Sequence, residues 1–97
     1  MRSTYSNLPI PASATAGDPV HCDEIVDKTI QVFGTFVASI RIQGSLDGTN
    51  WSDFGTPITT PSIVAIDATM KMIRANVSSY TSGTPGGLFS GLMARTE

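Results

Sequence analysis

Hydrophobic and polar residues alternate with period two along most of the chain. Thr29-Ile30-Gln31-Val32-Phe33 puts Ile30 and Val32 on one face and Thr29, Gln31 and Phe33 on the other. Gly34 interrupts the run, as a bulge or tight corner does. Thr35–Gly44 then turns Phe36, Ala38, Ile40 and Ile42 inward and Val37, Ser39, Arg41 and Gln43 outward. Met70–Ser78 repeats the pattern, with Ile73, Ala75 and Val77 opposite Arg74, Asn76 and Ser78. Asp47-Gly48 marks a hairpin turn, because Gly takes φ > 0 freely and the Asp side chain can bond the backbone two residues on. A short strand is expected around Trp51–Phe54. Ile63-Val64-Ala65-Ile66 reads as a short buried strand, and Pro57 and Pro61 confine its surroundings to edge or corner roles. Tyr80–Gly87 reads as a long turn and Leu88–Ala94 as a closing strand. No window carries a sustained i, i+3, i+4, i+7 stripe with caps, so very little helix is expected.

Short strands at near-regular spacing, parted by Gly, Pro and Asp turns, predict an all-β fold: a single small antiparallel β-sandwich or jelly-roll-like domain over residues 21–97. Residues 1–20 read as an extended N-terminal arm. Pro9, Pro11 and Pro19 interrupt it, and Ala12-Ser13-Ala14-Thr15-Ala16-Gly17 offers little to bury, apart from a short strand near Ser13–Ala16. Asp18–Asp27 concentrates acidic residues around Ile25-Val26 and reads as a loop or short edge strand.

Charge narrows the function classes. Of 97 residues, 14% are charged and 40% hydrophobic, with a net charge of −2. The chain is thus too apolar and too weakly charged for disorder. Its six Lys and Arg are scattered, so the basic stripe that nucleic-acid binding needs is missing and no nucleic-acid partner is expected. No apolar run reaches the ~18–20 residues of a membrane-spanning helix, and no apolar stretch follows the lone Arg2, so neither a membrane association nor a signal peptide is expected. A lone cysteine, Cys22, excludes an intramolecular disulfide and fits assembly in a reducing cytoplasm.

Candidate chemistry is sparse. His21-Cys22-Asp23-Glu24 holds the only histidine beside the only cysteine, but adjacent residues turn poorly to one ion, and zinc takes about four ligands. The expectation is an acidic loop with a buried thiol. Asp47, Asn50 and Asp53 bring oxygens to one loop, short of the roughly 6–8 that calcium takes and without EF-hand spacing. Trp51 is expected to plug the core rather than to form a sugar platform. Arg74 is expected to pair with Asp53 or Asp67. Asn76-Val77-Ser78 matches a glycosylation sequon but falls in mid-strand. No acid/base or nucleophile set emerges, so the chain is expected not to be an enzyme and to need no cofactor or metal.

Three stretches carry a resemblance: Gly34-Thr35-Phe36; Gln43-Gly44-Ser45-Leu46-Asp47-Gly48-Thr49-Asn50-Trp51; and Ile73-Arg74-Ala75-Asn76-Val77-Ser78-Ser79-Tyr80-Thr81-Ser82-Gly83-Thr84. Together, over roughly residues 29–84, they resemble small virion proteins of tailed phages, such as capsid decoration (cement) proteins. The resemblance implies a structural role on the particle, with the major capsid protein as partner, assembly in the host cytoplasm and a homo-oligomer, taken as a trimer. The expected contact residues are Tyr5, Leu8 and Ile10 of the arm, with Ile25, Val26 and Phe33. Removing residues 2–17 is then expected to abolish capsid binding and leave the sandwich folded. A similar Ser-x-Asp-Gly-x-x-Trp turn occurs in carbohydrate-binding sandwiches, so a carbohydrate-binding module is one alternative; a head-completion or tail protein is another.

Overall fold

Two strands of unusual length organise the molecule. The computed structural model describes residues 3–23, 25–66 and 70–93. There the chain forms β1 (Ser3–Asn7), β2 (Val20–His21), β3 (Ile25–Ser45), β4 (Ser52–Ile58), β5 (Ser62–Ile66) and β6 (Met72–Met93), with no helix among the described residues. The fold is all-β, as the alternation requires. All six strands belong to one antiparallel sheet, so the two layers expected of a sandwich are two halves of a continuous sheet.

β3 and β6 pair along their whole length, from Ile25↔Met93 to Ser45↔Met72. Each long strand then carries two short ones on its free edge. On β3, β5 covers the first half (Lys28↔Ile66 to Val32↔Ser62) and β4 the second (Ile40↔Ile58 to Gly44↔Ser52). On β6, β1 covers the last residues (Ser3↔Leu92 to Asn7↔Leu88), and β2 with the Ala16↔Asn76 bridge covers the first. The result is two four-stranded half-sheets: β1-β6-β3-β5 and β2-β6-β3-β4.

These halves cannot be coplanar. A straight strand of 21 residues would span about 70 Å at ~3.3 Å per residue. The longest dimension of the molecule is 44 Å. The bend falls where Gly34 (φ 100°) lies opposite Pro85 and Gly83 (φ 97°) lies opposite Phe36. A Cβ on Gly34 would stand 2.5 Å from the Thr84 carbonyl oxygen, and one on Gly83 would run into the Thr35 carbonyl and the Phe36 Cα. The two strands are pinched together at the corner, and only glycine fits there in this conformation. Register shifts at Val37/Ala38 and Ser39/Ile40 complete the bend.

The same side of the ribbon is buried on both sides of the corner. Ile30, Val32, Ala38, Ile40 and Ile42 from β3 join Ile73, Ala75, Val77 and Phe89 from β6 in one apolar cluster. Ile58, Ile66, Leu8, Cys22 and Met70 close its ends. Lys28 shares this inward register and is buried, with its Nζ donating to the Ile25 carbonyl oxygen at 2.9 Å. The bulge that sets it there includes Asp27, at φ 50°.

Several local expectations change. Tyr80–Gly87 is not a turn but the middle of β6: its Ser, Thr, Gly and Pro residues pair with Val32–Ala38, and the partner strand supplies what local propensity lacks. Ile63–Ile66 is not a buried run. Only one face of β5 is covered, so Ile63 and Ala65 point outward while Ile66 is buried. Of residues 3–21, Ser3–Asn7 and Val20–His21 lie in the sheet, and Ala16 adds a single bridge to Asn76. Leu8 is 1% exposed, and its N–H donates to the Gly87 carbonyl at 3.0 Å. Leu8 is therefore a core residue, and removing residues 2–17 strips a strand and a core side chain from the domain rather than a free arm. The closing strand's last expected residue, Ala94, lies outside the described residues.

Two stability outcomes follow from this geometry. Leu8→Ala is expected to destabilise the protein by about 2–5 kcal/mol, read as a lowered denaturant midpoint; an unchanged midpoint would mean that Leu8 is not core. Gly83→Ala is expected to cost about 1–3 kcal/mol from backbone strain alone, and more from the clash at Thr35. By comparison Gly55, with open space around its Cβ position, should feel only the strain of its φ of 78°.

Candidate protein-docking surface

The two half-sheets present outward faces of opposite character. On β2-β6-β3-β4 the face is a polar ladder. Arg41 pairs with Asp53 at 3.6 Å, Gln43 donates to Asp53 at 2.9 Å, and Arg74 Nε donates to Gln43 Oε1 at 2.9 Å. The Arg74 guanidinium sits over the Trp51 ring, 4.2 Å from its centroid. Two expectations are corrected here. Arg41 rather than Arg74 makes the ion pair with Asp53, because Arg74 is one strand farther away, on β6. Trp51 is half-buried under Arg74 and does not plug the core. Asp67, the other expected partner of Arg74, lies outside the described residues.

On β1-β6-β3-β5 the outward rows, among the described residues, carry no charged side chain; the exposed Asp27 stands at their margin, in the bulge between Val26 and Thr29. The rows are set by register. Tyr5, Ser90, Thr29 and Ala65 form one row across the four strands, and Asn7, Leu88, Gln31 and Ile63 form the next. The Leu92↔Val26 pair lies beyond the first row and the Gly86↔Phe33 pair beyond the second. Exposure is high for Tyr5 (77%) and Ile63 (68%), and substantial for Phe33 (43%) and Leu88 (42%). The Phe33 ring lies across Gly86, where a Cβ would stand 2.5 Å from Cε1, so it spreads over the sheet. With strands ~4.8 Å apart and rows ~6.7 Å apart, the face measures roughly 15 by 20 Å.

The six expected contact residues thus separate. Tyr5 and Phe33 are on this face, and Val26 lies at its margin, half-buried. Leu8 is core, while Ile10 and Ile25 are partly buried against the core, with Ile25 lying over Gly91. Leu88 and Ile63 belong to the face and were not singled out in the sequence. The strict alternation of β5 could have exposed Ile63. Leu88 needed the register with Gln31.

The other candidate sites resolve into structure. Cys22 is buried, and its thiol approaches the Met70 carbonyl at 3.6 Å. Burial pushes its pKa up, nearby Lys28 pulls it down and Asp23 adds to the rise, so the thiol stays protonated at neutral pH. His21 is exposed on β2 whereas Cys22 is buried, and Glu24 lies outside the described residues. A cleft of about 450 Å³ opens beside the turn, lined by Leu46, Asp47, Asn50, Asp53, Phe54 and Met70 among others. Asp47 is committed within the turn itself. Its Oδ1 accepts from the Thr49 and Asn50 N–H groups at 2.8 Å and from Ser45 Oγ at 3.0 Å, and its Oδ2 accepts from Asn50 Nδ2 at 2.7 Å. Among the described residues no three His, Cys, Asp or Glu side chains cluster as metal ligands.

No protein-family model and no curated protein matches this sequence. Among solved structures, the chain is similar to the SPBc2 prophage-derived protein YomS, with a TM-score of 0.78 over 93% of this chain and 92% of that one. The two are 12% identical, so the likeness is one of fold. It extends over nearly the whole length of both chains.

The turn yields a pH test. The backbone N–H of Asn50, then that of Thr49, then the side chains of Asn50 and Ser45 hold the Asp47 carboxyl far below its ordinary 3.8. A depressed native pKa means that the stabilisation is fully present well above 3.8 and is lost progressively as pH falls from 3.8 to the lower native value, where the folded carboxylate itself takes up its proton. The Thr49 and Asn50 amide resonances should therefore hold their neutral-pH positions through 3.8 and move only in stronger acid. A midpoint at 3.8 would show that the turn does not hold the carboxylate.

Proposed function

We propose that this chain is a non-enzymatic structural protein of a tailed-phage particle that decorates the mature head, binding the major capsid protein as a homo-oligomer. The observation that carries the reading is the fold likeness to a prophage-derived protein over 93% of the chain, coinciding with the virion-protein resemblance in its turns. An apolar-rich outer face whose rows hold no charged side chain supports binding through surface contact. Segment 9–19, a loop that runs between the Gly87 and Ala75–Val77 levels of β6 with Ala12–Thr15 exposed, is the capsid-facing element in this reading. A shell-bound protein needs no chemistry. Each copy adds contact area, and repetition over the shell makes modest contacts cumulative.

A carbohydrate-binding role has less support, since Arg74 already covers one face of the Trp51 ring. Quantitative mass spectrometry of purified particles tests the proposal. A copy number commensurate with that of the major capsid protein is expected. Single-ring stoichiometry would move the protein to a head-completion or tail position, and absence from particles would refute a virion role.

A further inference from the structure

We infer that the apolar-rich outward face of β1-β6-β3-β5 is where copies of this chain join one another. The inference deepens the proposed homo-oligomer by naming its contact surface, and rests on that reading only for its biological setting.

Three features select a second copy as occupant. First, the rows of the face hold no charged side chain, and the exposed Asp27 stands outside them, in the bulge between Val26 and Thr29. Tyr5, Leu88, Ile63 and Phe33 are interspersed with Asn7, Gln31, Thr29 and Ser90, and no Asp, Glu, Lys or Arg stands in these rows. A surface that meets its own image must avoid like charges, whereas one built for a charged partner would carry the opposite sign. Second, its polar members are self-complementary. Carboxamides and hydroxyls both donate and accept, so Asn7 and Gln31 can bond their counterparts in another copy.

Third, the area fits. At their exposures the four large apolar side chains offer roughly 500 Å², taking ~200–250 Å² for a fully open residue of this size. That is more than half of the roughly 800 Å² that each partner gives to a standard interface, and the exposed Asn7 and Gln31 lie between these side chains. The opposite outward face lacks these properties, because Arg41, Asp53 and Arg74 are engaged there in an internal ladder.

Sedimentation equilibrium of the purified full chain tests this, with Ile63→Lys and Leu88→Lys as separate variants and Val37→Lys as control. Val37 is 58% exposed but lies beyond the corner, on the other half. Wild type and the control are expected to sediment as the same oligomer. Each face variant should sediment at monomer mass, with an unchanged β-sheet circular dichroism spectrum. A monomeric wild type at high micromolar concentration would overturn the inference, as would face variants that keep the oligomer. Unfolding of both variants would overturn it too, since residues of an open face do not hold up the core. Oligomers with the expected variant response but no copies in phage particles would refute the virion role and leave the contact surface standing.

Discussion

The pairing of β3 with β6 is the constraint from which the rest follows. A two-stranded ribbon has no interior, so it buries apolar side chains only by curling until one of its faces meets itself. The pinch at Gly34 and Gly83 allows this. It lets Ile30 and Val32 on one side of the bend join the same core as Ile40 and Ile42 on the other. The short strands are then fillers of position: β5 and β4 cover one edge in succession, β1 and β2 the other. The corner links them all, since a ribbon straightened there would expose most of the core at once.

The bend also gives the molecule its two surfaces. The ribbon's outer side is divided at the corner, and each half has its own chemistry. One half is latticed by Arg41, Asp53, Gln43, Arg74 and Trp51, which satisfy one another. The other is apolar-rich, with no charged side chain in its rows. On a 97-residue domain with few charges, such a division of labour is a means of controlling which side makes contacts.

What could be read in the sequence was whatever depends on the period of two. The inward set of β3 and of the first part of β6 was legible residue by residue, and so was the turn at Asp47-Gly48, where Gly48 has φ 81°. Pairings between distant segments were not legible. Ser82-Gly83-Thr84-Pro85 has the composition of a loop, and it is a strand only because Gly34–Val37 lies opposite. Leu8 sits among prolines and small residues, and nothing nearby marks it as core; its burial is decided by Gly87, far along the chain. Lys28 likewise lies in a register shifted by the bulge at Asp27. The docking face combined both kinds of information: Phe33 was visible as outward, but its company of Leu88, Ile63 and Tyr5 is assembled by register alone.

Trp51 has a consequence of its own. It is the only tryptophan, and it is clasped by a guanidinium on the half away from the apolar-rich face. Its near-ultraviolet emission therefore belongs to a single region of the molecule. A quenching or red shift of that light would signal the Arg74 side chain letting go, while events on the far surface would leave the emission unchanged. The protein thus carries a native optical label that separates loosening of one lobe from association through the other.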